Sequence, residues 1–162
     1  LLPNESRYFM DKSLFNFRYL GFLLLAFPQS KSIIVTRDKK DTLWSNYTQF
    51  FAGSDLSYSF SFDATSKMQQ LVNDYQKLWL QKFPERIQVV DNADLVRNPL
   101  AICRQLKDFM GRDIKFVTES EFEGTKTPSV TASSDQIRSG LKPSTRSWCN
   151  YVEFLPSEMF KN

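Results

Sequence analysis

A chain of 162 residues is the length of one domain, and 41% hydrophobic with 24% charged residues is enough for a packed core and too apolar for global disorder. The 21 Lys and Arg against 18 Asp and Glu give a dispersed net charge of +3, which admits an anionic ligand but offers little basis for a nucleic-acid partner. The absence of His excludes a Ser-His-Asp triad, a His-ligated zinc and an imidazole base, and the two isolated cysteines, Cys103 and Cys149, indicate neither a disulfide framework nor a metal knuckle.

The chain opens Leu1-Leu2-Pro3-Asn4, without Met and without a signal-peptide pattern, so further polypeptide is expected upstream. Residues 11–27 read as a helix: Leu14, Phe17, Leu20, Gly21 and Leu24 recur at three-and-four spacing, and Pro28 stops the ladder. The apolar run at 20–27 is far shorter than the roughly 20 residues that span a bilayer, so no membrane span is expected. The β-branched run Ser-Ile-Ile-Val-Thr at 32–36 reads as a buried strand. Asp38 or Asp41 can cap a following helix that runs to about Phe51.

Residues 53–63 read as a loop rich in Ser and aromatics, either a substrate-side loop or a flap over the core. Met68, Leu71, Val72, Tyr75, Leu78, Trp79 and Phe83 then form a helical stripe best read as core packing. Residues 87–90 are a second candidate strand. Asn98-Pro99 starts a helix that turns Ile102, Leu106 and Phe109 inward and ends before Gly111, with Cys103 as a core or boundary thiol. A polar stretch at 119–147 comes next, and Trp148, Tyr151 and Leu155 suggest a short terminal helix. Strands alternating with helices predict an α/β fold with a parallel sheet, and two strands are few for a complete one.

The chemistry concentrates after the first strand. Arg37 emerges at the carboxyl end of that strand, where open α/β sheets place their ligands, and Ser45 lies in the next helix. A guanidinium and a hydroxyl so placed can hold a phosphate oxyanion together. The plainer alternative is that Arg37 pairs with a nearby Asp and Ser45 is an ordinary helix-surface residue.

The segment Lys31-Ser-Ile-Ile-Val-Thr-Arg-Asp-Lys-Lys-Asp-Thr-Leu-Trp-Ser-Asn-Tyr47 resembles the centre of the sulfotransferases that use 3′-phosphoadenosine 5′-phosphosulfate (PAPS), in which a strand leads to Arg-Asp-Pro-x-Asp and a Ser follows eight residues after the Arg. Asp11-Lys12-Ser13-Leu14-Phe15-Asn16-Phe17 with Tyr19-Leu20-Gly21 resembles the Asp-Lys-x-Pro-x-Asn-x-x-Tyr-x-Gly segment of the branch holding tyrosylprotein and bacterial tetratricopeptide-linked sulfotransferases. Asp94-Leu95-Val96-Arg97-Asn98-Pro99 is similar to its Tyr-Glu-Asp-Leu-Val-x-Asp-Pro, residues 131–138 to its Thr-x-Ser-x-x-Gln-Val-Arg, and Trp148 with Tyr151 to its closing Trp-x-x-Tyr.

The resemblance implies the three-layer, parallel-sheet, P-loop-like sulfotransferase fold, of which residues 1–162 would be the C-terminal portion of a single domain. It implies that Arg37 and Ser45 bind the 3′-phosphate of PAPS, a co-substrate used without metal. Lys12 and Ser133 would stabilise the transferring sulfuryl group, whose developing charge asks for cationic and hydrogen-bond donors. The alternatives are a solvated lysine in a helix's first turn and a serine making a local turn bond. The implied acceptor is a hydroxyl on a tyrosine, a sugar or a small molecule. The compartment would be the secretory lumen for a tyrosylprotein-type enzyme and the cytoplasm for a bacterial type.

The departures are also informative. The family's first strand and its 5′-phosphosulfate loop have no counterpart in the sequence, nor has the acceptor-activating base, so a protein segment or subunit is expected to supply them. Lys39 replaces the Pro of Arg-Asp-Pro, Leu14 stands where the first motif has Pro, Asn92-Ala93 replaces Tyr-Glu, and Ser147 stands where a basic residue usually precedes the last Trp. Two functions are therefore expected: sulfuryl transfer as part of a larger domain, or a catalytically inactive sulfotransferase-like binding or structural subunit.

Overall fold

The computed structural model describes residues 9–51, 54–111 and 146–160. Its first helix, α1, is Asn16–Ala26, five residues shorter at its start than the periodicity predicts. Asp11 accepts the Ser13 N–H at 2.9 Å, a local side-chain bond of the kind that competes with helix. Lys12 therefore lies before the helix and not in its first turn. Leu20 and Leu24, one turn apart, are buried. At the other end Arg86 caps the helix from a distance: its guanidinium donates to the carbonyls of Leu24 and Phe27, each at 2.8 Å, and to that of Ser30. A cation among C-terminal carbonyls satisfies groups that the helix itself leaves open.

Strand β1, Ser32–Thr36, pairs in parallel with β2, Ile87–Asp91, in a register that runs from Ser32 opposite Ile87 to Thr36 opposite Asp91. Such a pair needs a crossover, and here it passes through α2, Lys39–Thr48, a 3-10 turn at Ser54–Phe60 and α3, Phe62–Lys82. The expectation of a buried β1 is half right. Ile34 packs on the cluster of Leu20, Leu24 and Ile87, whereas Ile33 and Val35, on the alternate face, are 42% and 56% exposed.

Within the predicted loop at 53–63, Ser54–Phe60 form the 3-10 turn and Phe62 begins α3. Thr65, buried at the first turn of α3, donates to the Tyr58 carbonyl at 3.0 Å, which ties turn and helix together. Burial also raises the pKa of the Tyr58 phenol. Along α3 the aromatic end of the expected stripe meets α1. The Trp79 indole donates to the Phe17 carbonyl at 2.7 Å, Tyr75 meets Phe17 edge to face, and the Trp79 ring covers Gly21. Leu71 and Leu78 face outward, so the stripe is narrower than the sequence suggests.

After β2 comes a helix the sequence reading missed, α4, Asn92–Arg97. Asp91 starts it by accepting the Ala93 and Asp94 N–H groups at 2.7 and 3.4 Å. The next helix, α5, Pro99–Met110, begins with Pro as expected, although the Asn98 side chain makes no capping bond. Gly111 closes α5 in the left-handed region at φ 64°, a conformation that favours glycine. The Lys31 ammonium binds the carbonyl of Phe109 and lies over its ring, joining the end of α5 to the start of β1. The terminal segment Ser147–Phe154 is a 3-10 helix and not an α-helix. The result is a mixed α/β structure around a small parallel sheet.

Candidate functional site

The carboxyl end of β1 leads directly into Arg37 and the helix that carries Ser45. Thr36 ends the strand, and Arg37 follows at once with its side chain exposed. Asp38 then caps α2, its carboxylate accepting the Asp41 N–H at 3.0 Å while its carbonyl accepts the Thr42 hydroxyl at 2.8 Å. Of the two acids offered as caps, the structure selects Asp38.

Asp41 has a different partner. Only 5% exposed, its carboxylate accepts the Trp148 indole N–H at 2.9 Å, across 107 residues of sequence. One helical turn on, the Trp44 indole donates to the Ser147 hydroxyl at 2.9 Å and stacks on Tyr151 with centroids 4.9 Å apart. The Lys40 ammonium lies 5.3 Å from the centre of the Trp148 ring. The segment Ser147–Phe154 is thus fastened along α2 by two indole hydrogen bonds and two ring contacts. From the sequence Trp148 and Tyr151 are expected in a short terminal helix and a closing motif, but no local pattern shows which partners they meet.

These attachments define the surroundings of Arg37. Both neighbouring carboxylates are engaged, Asp38 on the helix end and Asp41 on Trp148. Among the described residues Arg37 makes no ion pair. The plain reading, Arg37 neutralised by a nearby Asp, does not hold there. Ser45 lies four residues beyond Asp41 and so on the same face of α2. It is half-buried, and its hydroxyl has no hydrogen-bond partner among the described residues. Arg37 thus immediately precedes the capped start of this ten-residue helix and Ser45 lies within it, each without a hydrogen bond or ion pair among the described residues.

Lys12 precedes α1. Arg86, just before β2, holds the carbonyls of Leu24 and Phe27, so α1 ends beside the amino end of the strands. Lys12 is exposed, and no hydrogen bond or ion pair among the described residues joins it to Arg37 or Ser45. Ser133 and the segment 131–138 lie outside the described residues. Asn92 and Ala93 occupy the first turn of α4, with Ala93 exposed. Cys103, half-buried on α5, has a free thiol, as its boundary reading anticipates.

Comparison with known proteins places the chain in a family. The model of the family described as "Sulfotransferase family" matches residues 2–115, which contain β1, α2 and β2. An uncharacterized protein of Aquifex aeolicus is 32% identical over 159 residues, covering 95% of this chain and 20% of its own length. The chain thus spans about a fifth of the length of that curated relative.

Proposed function

The chain belongs to the sulfotransferase family, and from that premise we propose that it forms the 3′-phosphate half of a site at which a sulfuryl group passes from PAPS to a hydroxyl acceptor. The observation that carries this reading is Arg37: exposed at the carboxyl end of β1, with Asp38 and Asp41 both engaged elsewhere. Arg37 and Ser45 hold the 3′-phosphate, the guanidinium by charge and geometry and the hydroxyl by one further hydrogen bond. Lys12 and Ser133 stabilise the transferring sulfuryl group.

PAPS supplies the activated sulfuryl group. The residues of this chain fix the nucleotide end of the donor and place positive charge and hydrogen-bond donors where charge accumulates on oxygen, which is how proteins assist such transfers. The acceptor is a tyrosine, a sugar or a small-molecule hydroxyl. The three-layer, P-loop-like arrangement and the 5′-phosphosulfate loop belong to the same proposal, with the loop supplied by polypeptide outside this sequence.

A second reading, an inactive sulfotransferase-like binding or structural subunit, is favoured by Asn92 and Ala93 where an aromatic-acid pair is expected and by the half-exposed Ile33 and Val35 on β1. Calorimetric titration of adenosine 3′,5′-bisphosphate into the 162-residue chain separates the two. The catalytic reading expects binding that Arg37→Ala/Ser45→Ala weakens by at least tenfold. A folded chain that does not bind, or binds equally well after both substitutions, leaves the subunit reading.

A further inference from the structure

Asp41 sits four residues after Arg37, close enough in sequence to be its natural ion-pair partner, yet its carboxylate is turned into the structure and holds the Trp148 indole at 2.9 Å. Resting on the phosphate-site reading above, we infer that Trp148 is a positioning residue whose N–H keeps the Asp41 carboxylate away from Arg37 and so leaves the guanidinium available to an anion. Three observations support this. Asp41 is almost wholly buried, so its carboxylate depends on protein donors, and a hydrogen bond to a charged acceptor is among the stronger ones. The indole is itself fixed, because Lys40 lies over its ring and the preceding residue, Ser147, is held by Trp44. Asp38, the other candidate partner of Arg37, is occupied as the cap of α2.

Without the indole, a carboxylate that has lost its donor is driven to find another, and Arg37, beside the same helix end, offers one. The ion pair that results competes directly with a bound phosphate. Trp148 therefore acts on the ligand through Asp41 and Arg37, without needing to touch it.

The test is calorimetry of adenosine 3′,5′-bisphosphate and of adenosine 5′-monophosphate, which lacks the 3′-phosphate, on the full chain and its variants. Trp148→Phe keeps a ring under Lys40 but removes the N–H, and it is expected to weaken the bisphosphate by about tenfold, the scale of one charge-assisted hydrogen bond. Adding Asp41→Asn removes the competing charge and is expected to restore affinity to within about threefold of the unaltered chain. The monophosphate should change little throughout.

A loss in Trp148→Phe that Asp41→Asn does not restore would mean the indole matters only for packing and would overturn the inference. An unchanged bisphosphate affinity in folded Trp148→Phe would overturn it too. Should Trp148→Phe fail to fold, Trp148 replaced by 3-benzothienylalanine, which keeps the bicyclic ring and lacks the N–H, decides by the same outcomes: a tenfold loss restored by Asp41→Asn supports the restraint, and an unchanged affinity or an unrestored loss overturns it. Failure of the unaltered chain to bind the bisphosphate is the distinct result that sinks the phosphate-site reading and, with it, this role for Trp148.

Discussion

Gly21 shows how one side chain fewer sets the approach of two helices. It is buried on α1 where the Trp79 ring of α3 lies against the backbone, and a Cβ built at Gly21 overlaps Cζ3 of that ring and comes within 2.6 Å of Cη2. In an exposed helix interior, Gly→Ala gains about 1 kcal/mol. Here the ring must move, and moving it disturbs the 2.7 Å bond from its indole to the Phe17 carbonyl. Overpacking of this kind costs about 1–3 kcal/mol. Gly21→Ala is therefore expected to be destabilising by about 1 kcal/mol in net, despite its better helix propensity. Urea unfolding followed by tryptophan fluorescence measures it, and an unchanged or raised midpoint would show that Trp79 relocates freely.

At the scale of elements, α2 joins the sheet to the candidate site, and its start is built by Asp38. Asp38→Ala removes the bond to the Asp41 N–H, and loss of an N-cap of this kind costs about 1 kcal/mol. Asp38→Asn keeps an acceptor and should stay within a few tenths of that value of the original chain. Chemical unfolding of the two variants checks the pair, and equal midpoints would remove the cap from the account. Elements defined by local chemistry were legible in the sequence: the β-branched run of β1, the Asp before α2 and the Pro opening α5. The start of α1 was not, because Asp11 diverts the Ser13 N–H, and α4 was missed because Asp91 serves both as the last residue of β2 and as the cap of α4. The candidate site was legible in part for the same reason. Arg37 and Ser45 could be placed by counting along one strand and one helix, whereas the pairing of Asp41 with Trp148 depends on a contact across 107 residues of sequence.

For the molecule as a whole, the sheet is narrow in relation to its surroundings. It consists of β1 and β2 among the described residues, and side chains alternate across it so that Ile34 and Ile87 face the cluster with Leu20 and Leu24. Ile33 and Val35 point the other way and remain about half exposed. Two neighbouring apolar positions on one face of a strand are a surface that water disfavours and that another polypeptide can cover. A chain of net charge +3 has only weak long-range repulsion to oppose such contacts. The 162-residue chain is thus expected to self-associate as its concentration rises and to bind a hydrophobic dye while folded. Ile33→Thr/Val35→Thr preserves β propensity and removes apolar surface, so it should raise the concentration at which the chain stays monomeric by several-fold, a shift on the order of the 1–2 kcal/mol carried by the area removed. Sedimentation velocity across a concentration series reads the difference. Identical, strictly monomeric behaviour of both chains would show that these two side chains are tolerated in water, and would remove the exposed β1 positions as support for the subunit reading.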